Sequence, residues 1–258
     1  MSDLTLFEIL ESILQTAVLV AIIVKSVKLT ANRKKFLLPF FFALAMSGLL
    51  LSNLYWIAYD VLRPDTRMPF ASNEIAECAV ILLLSAALDF LLEDKRDILG
   101  EAIFAFLFIC VNIVLWIAWS GEWVQDILFG LPYIYLLGLL IRGLRSRKLM
   151  TRNELWFSAI MSVSFLVMQF LLFLTQENAF TFEYIKTSSY IVMFILLLWL
   201  AIKSFRSKDF FVSTTFFLWT NLSMFLSPDV YYNITAMTEV LALPLMFISM
   251  KKELEVDD

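Results

Sequence analysis

The sequence predicts an all-α membrane bundle of about nine transmembrane helices, with the N terminus outside and the C terminus inside. Three observations carry this. The chain is 61% hydrophobic and 17% charged over 258 residues, more apolar surface than a soluble domain of that length can use. The apolar residues fall in runs long enough to cross a hydrocarbon core, which takes about 20 residues per helix. All but three of the twenty Lys and Arg residues lie in five short clusters between those runs: Lys25–Lys35, Lys95–Arg96, Arg142–Arg152, Lys203–Lys208 and Lys251–Lys252. The exceptions are Arg63, Arg67 and Lys186. Basic loops stay on the cytoplasmic side, so clusters after the odd-numbered spans set the orientation.

The expected spans are 5–24, 36–59, 72–92, 98–119, 123–141, 154–175, 183–202, 209–227 and 230–250. The first carries Glu8 and Glu11 and no basic residue before Lys25, so it reads as a retained helix and not as a signal peptide. The second has Pro39 in its first turn, where a missing N–H costs little, and ends in Tyr55, Trp56 and Tyr59. The third holds Glu74 and Glu77 on one face and Asp89 at the inner boundary. The fourth and fifth flank Trp116, Trp119 and Trp123; these fit an outer aromatic belt, with Trp156 and Trp199 in the inner one. Gly130, Pro132 and Gly138 are expected to bend the fifth span, and the sixth carries Gln169. The seventh opens with Glu183 and Lys186, three apart and mutually neutralising. The eighth holds Asn221. The ninth has Pro244, whose missing N–H leaves the Val240 carbonyl in need of another partner. Connections are short, so residues 1–258 read as a single integral membrane domain.

A faint parallel repeat relates 5–95 to 183–252, joined by 98–175. Lys25-Ser26, Ser52-Asn53-Leu54 and Glu77 correspond in order to Lys203-Ser204, Thr220-Asn221-Leu222 and Glu239. Same-direction repeats of this kind occur among transporters. Chance likeness between apolar helices is the competing explanation.

Absences narrow the chemistry. With no histidine, neither His-based acid–base catalysis nor His-ligated zinc or haem is available. Cys78 and Cys110 lie inside apolar runs and are expected to form neither a disulfide nor a metal centre. No Gly-rich phosphate loop is present. A retinal pocket fails too, because its Schiff-base lysine must lie deep in a span, and Lys186 sits near an outer end. No cofactor and no nucleic-acid partner is expected. The chain reads as a non-enzyme, an intramembrane carboxylate enzyme being the remaining catalytic option.

The informative residues are polar groups in places lipid does not tolerate. Glu239 is twelve residues before Lys251, roughly 18 Å along the helix and near the midplane. A carboxylate at that depth costs about 3 kcal/mol unless it meets protein or water. Thr235, one turn away, and Thr238, beside it, are the candidate partners on its own face. Glu77 and Glu11 lie further out, roughly 27 and 21 Å from the next cytoplasmic lysine. Asn53, Asn112 and Asn221 sit at similar depth on three other spans. Glu11, Asn53, Glu77, Asn112, Asn221 and Glu239 together suggest one polar cavity open to the outside. Glu74, with Arg63 and Arg67 in the preceding loop, would form its mouth, an arginine offering a planar fork to an anionic group.

Two functions fit. The first is a transporter or channel-like protein for a cation or small polar solute, with protons or Na⁺ as possible coupling ions, in a bacterial plasma membrane. The second is a sensor or receptor that binds a small ligand from outside and signals to a cytoplasmic protein at the loop Arg142–Arg152, which could equally contact anionic lipid. A structural subunit of a larger complex is a third role for such a chain.

Overall fold

The computed structural model describes residues 3–31, 36–62, 72–92, 99–227 and 229–255. Among these, nine helices account for the regular structure: α1 (Asp3–Thr30), α2 (Leu37–Leu62), α3 (Ser72–Phe90), α4 (Leu99–Ser120), α5 (Trp123–Ser146), α6 (Arg152–Leu174), α7 (Ala179–Ser207), α8 (Phe210–Met224) and α9 (Asp229–Glu255). Each expected span corresponds to one helix. Seven are long and apolar enough to cross a membrane, so the protein is an integral, multi-pass membrane protein. The two that fall short are α3, which carries Glu74, Glu77 and Asp89 within 19 residues, and α8, which has only 15.

The helices α1, α2, α3, α5, α4, α6, α7 and α9 follow one another around a ring, and α8 runs up its middle. From Phe210 to Ser223 every residue of α8 is buried. Its aromatic side chains reach across to the ring. Phe210 meets Phe42 of α2 edge-on at 5.8 Å, and Trp219 meets Phe108 of α4 at 5.4 Å. Leu51, Ile103 and Leu198 instead project outward, 51–64% exposed, as lipid-facing residues do.

A buried helix can carry hydroxyls only if they are satisfied. In α8 the Ser213, Thr214, Thr215, Thr220 and Ser223 hydroxyls donate to carbonyls three or four residues earlier in the same helix. The axis of the bundle therefore offers little free polarity over this stretch.

The position of α8 is set at the basic end of the bundle. Lys208, left-handed at φ 48°, ends α7, and Asp209 caps α8 by accepting from the Phe211 N–H at 2.9 Å. Arg147, just past α5, then gathers three elements. It donates to Glu253 of α9 at 2.8 Å, lies 3.7 Å from Asp209, and covers the Phe211 ring at 4.9 Å. Burial first, and then the Glu253 carboxylate, push the Asp209 carboxyl up to about 6, against the Phe211 N–H and Arg147. The folded protein thus binds that proton more tightly than the unfolded chain, and stability falls as pH rises from about 4 to about 6. The Asp209→Asn variant should lose this part of the pH dependence, worth about 1–3 kcal/mol, in thermal melts of detergent-solubilised protein across that window.

The expected span 209–227 is shorter as a helix. Ser227 precedes Pro228, and a residue before proline avoids the helical conformation. After Met224 the chain therefore turns, with Leu226 N–H donating to the Ser223 carbonyl at 3.1 Å. Fifteen residues rise roughly 22 Å, against a core of about 30 Å. A central helix that starts level with its neighbours at the basic end and stops short of the other end leaves the axis open there.

Candidate functional site

Three cavities surround the turn 225–227 where α8 stops. The first has a volume of about 420 Å³ and lies among α1, α2, α3, α8 and α9. The second, about 390 Å³, shares Glu77 with the first and reaches Tyr133 and Asp126 of α5. The third, about 350 Å³, shares Ser227 with the first and is lined by Gln169 and Lys186. The turn itself is pinned: the Tyr190 hydroxyl of α7 donates to the Leu226 carbonyl at 2.7 Å, and the Tyr190 ring stacks on Tyr231 at 3.9 Å.

The first cavity holds the chemistry. Glu11, Asn53, Glu77, Asn221 and Glu239 line it together, although they come from five helices. Glu239 is 3% exposed. Its Oε2 accepts from Gln15 Nε2 of α1 at 3.2 Å, and Asn221 stands against the same carboxyl group. Its Oε1 is buried with no hydrogen-bond partner among the described residues. A buried carboxyl oxygen left this way is unusual, because native structures satisfy such atoms or use them. The group can hold a proton or a cation at that oxygen.

Surrounding contacts fix the walls. Asn53 Nδ2 donates to the Ser12 carbonyl and to Thr16 Oγ1, both at 2.9 Å, and so ties α2 to α1. The Tyr133 hydroxyl of α5 donates to Asn221 Oδ1. Losing that donor would strand a buried amide oxygen. The Tyr133→Phe variant should cost about 1–3 kcal/mol, read as a lowered melting temperature.

Several expectations need correction. Thr235 and Thr238 do not serve Glu239: Thr235 Oγ1 donates to the Tyr232 carbonyl at 2.7 Å and Thr238 Oγ1 to the Thr235 carbonyl at 2.6 Å. Hydroxyls in apolar helices commonly turn to their own backbone, so the partner comes from another helix. Asn112 does not join the cavity either, because its Nδ2 donates to the Phe108 carbonyl of its own helix at 2.9 Å. Glu183 and Lys186 do pair, at 3.6 Å. Arg63 and Arg67 lie outside the described residues, as does the side chain of Glu74. Gln15, Ser12, Trp56 and Tyr232 also line the cavity, and sequence reasoning passed over them. Gln15 had a readable cue: it lies one turn after Glu11, on the same face of α1.

Three carboxyl groups line the first cavity, and Glu11 and Glu77 engage partners of their own there. Those groups are spread around the walls: among the described residues, no three His, Cys, Asp or Glu side chains cluster as a metal site. Leu19 and Leu243 lie one turn beyond Gln15 and Glu239 towards the basic end, and with Met246 they are fully buried. The chain matches no family model, no curated protein and no solved structure.

Proposed function

We propose that the protein is a carrier for a small organic cation, an amine or quaternary ammonium, that binds from the outer side in the cavity above α8. The observation that carries this is Glu239, a carboxyl group buried mid-helix with one oxygen unmet, facing a cavity that the aromatic side chains Trp56 and Tyr232 also line. Intramembrane carboxylates of this kind mark ion and substrate paths. Dispersed carboxyl groups suit a molecular cation better than a chelated metal ion, which needs its oxygens converging at about 2–2.6 Å. Trp56 and Tyr232 in the wall add aromatic faces, which attract alkylammonium groups.

The fully buried apolar residues Leu19, Leu243 and Met246 on the basic side of Gln15 and Glu239 favour a carrier over an open channel. Motion of the ring helices against α8 would then expose the site to the other side. The parallel repeat adds support: its paired residues Asn53 and Asn221, and Glu77 and Glu239, line the same cavity, although α2 lies in the ring and α8 on the axis. No catalytic role is proposed, and Glu11 and Glu77 are assigned to drawing the cation in.

Proteoliposomes given labelled choline or ethylamine test the proposal. Saturable uptake that is absent for a neutral polar solute of the same size is the expected result. Equal uptake of the neutral solute, or none of any cation, would contradict it. Saturable binding without uptake would favour the second function, a receptor, since a cavity backed by apolar residues on one side also serves a ligand that is sensed and not moved.

A further inference from the structure

A fourth cavity, of about 740 Å³, lies at the opposite, basic end, between α4, α5 and α6. The tight helix pairs are α4 with α5 and α6 with α7; α4 and α6 touch only lightly, and the groove lies along their seam. Its two ends differ in character. The mouth carries Arg145, Lys148 and Arg152, with Glu101 as the one acid. Glu101 is taken by Arg145 at 2.6 Å. Lys148 and Arg152 are exposed and pair with no acid among the described residues. The shaft beyond is mainly apolar, lined by Phe108, Leu137 and Leu140, with the Ser162 and Thr215 hydroxyls turned to their own helices, and it reaches Trp219 of the enclosed α8.

Length and sidedness narrow the occupant. Leu137 is eight residues before Arg145 and Ser162 ten after Arg152, so the shaft runs roughly 12–15 Å. That is about half the hydrocarbon thickness, the reach of one leaflet's acyl chain. Phe104 and Trp156 on the rim are 41% and 58% exposed, so the groove opens sideways to lipid as well as downward. A soluble anion would have no use for the shaft, and a purely apolar partner none for the two unpaired cations. Basic pockets between membrane helices on the cytoplasmic side bind anionic headgroups.

We propose that this groove is a binding site for one anionic phospholipid of the basic-side leaflet, its phosphate held by Lys148 and Arg152 and one acyl chain lying against Trp219. The site is independent of the cation cavity.

Trp219 is 5% exposed, so only a chain inside the groove can touch it. The reporter is a protein keeping Trp219 alone, with the other six tryptophans changed to Phe, in vesicles of phosphatidylcholine doped with brominated phosphatidylglycerol or brominated phosphatidylcholine. Quenching of Trp219 by the anionic lipid at about thirtyfold lower mole fraction is expected, on the scale of two basic contacts. The double variant Lys148→Gln and Arg152→Gln should bring the two lipids level, and Ala159→Phe, which narrows the shaft, should abolish quenching by both. Equal quenching by both lipids in the protein with Lys148 and Arg152 intact, or none, overturns the proposal. Native mass spectrometry of the chain with all its tryptophans gives a reading that does not depend on the reporter. One phosphatidylglycerol should survive delipidation and be lost in the Lys148→Gln, Arg152→Gln variant. Displacement of that lipid by millimolar inorganic phosphate would assign the site to free phosphate and overturn the lipid reading.

Discussion

Glu239→Gln should abolish saturable cation binding while leaving the fold intact. The substitution keeps size and hydrogen-bonding capacity, so the Gln15 contact at 3.2 Å can re-form with the amide oxygen. It removes the negative charge that a bound ammonium needs. Truncating one member of a desolvated charge pair costs about 2–5 kcal/mol, which is roughly 30- to 5,000-fold in affinity. Stability should hold or rise, because a buried ionisable group without a cationic partner is itself a burden on the fold. Glu11→Gln and Glu77→Gln act through the rest of the wall and should weaken binding less. Equilibrium binding of labelled choline to purified protein, alongside a thermal melt, separates these outcomes. Undiminished binding in Glu239→Gln would remove this residue from the site.

The largest structural effect is expected at Gly143. A Cβ built there would lie 2.0 Å from Phe211 Cδ1, on the aromatic ring that anchors the start of α8. Gly143→Ala gains up to about 1 kcal/mol of helix propensity. Against this, forcing a methyl group into a packed ring costs about 1–3 kcal/mol. The ring cannot step aside, because Arg147 covers it at 4.9 Å and Asp209 caps the turn below it. Overpacking therefore wins, and the melting temperature should fall by several degrees. Gly138→Ala on the same helix is the control: its Cβ meets only Ala105 Cβ, at 3.9 Å, so stability should hold or rise. The double variant Gly143→Ala, Phe211→Leu should recover much of the loss. A Gly143→Ala protein as stable as Gly138→Ala would show that α5 and α8 are not locked together there.

Much of this fold is legible in the sequence because lipid imposes a plain code. Runs of apolar residues between basic clusters give the helices, and Pro228 with Asp209 brackets the one that comes out short. The central place of α8 is not written that way. A helix enclosed by protein and a helix facing lipid are both apolar, and its hydroxyls look like weak polarity until their bonds to their own backbone are seen. The convergence of Glu11, Asn53, Glu77, Asn221 and Glu239 is suggested by depth alone, since each sits roughly 18–27 Å from a basic cluster. Depth gives height but not rotation. That is why Asn112, at the right level, turns out to bond its own helix, and why Gln15 was missed as the partner of Glu239. The groove at the basic end depends on how tightly α4 and α6 pack, which no single chain segment encodes.

The central claim is that Glu239 faces an outward cavity and holds a cation there. Labelling intramembrane carboxyl groups with a hydrophobic carbodiimide, with the modified residue located by mass spectrometry, tests this most directly. Glu239 should be modified in the purified protein, and saturating choline should protect it while a neutral solute of equal size does not. Glu239 left unmodified, or modified to the same extent with and without the cation, would contradict the claim.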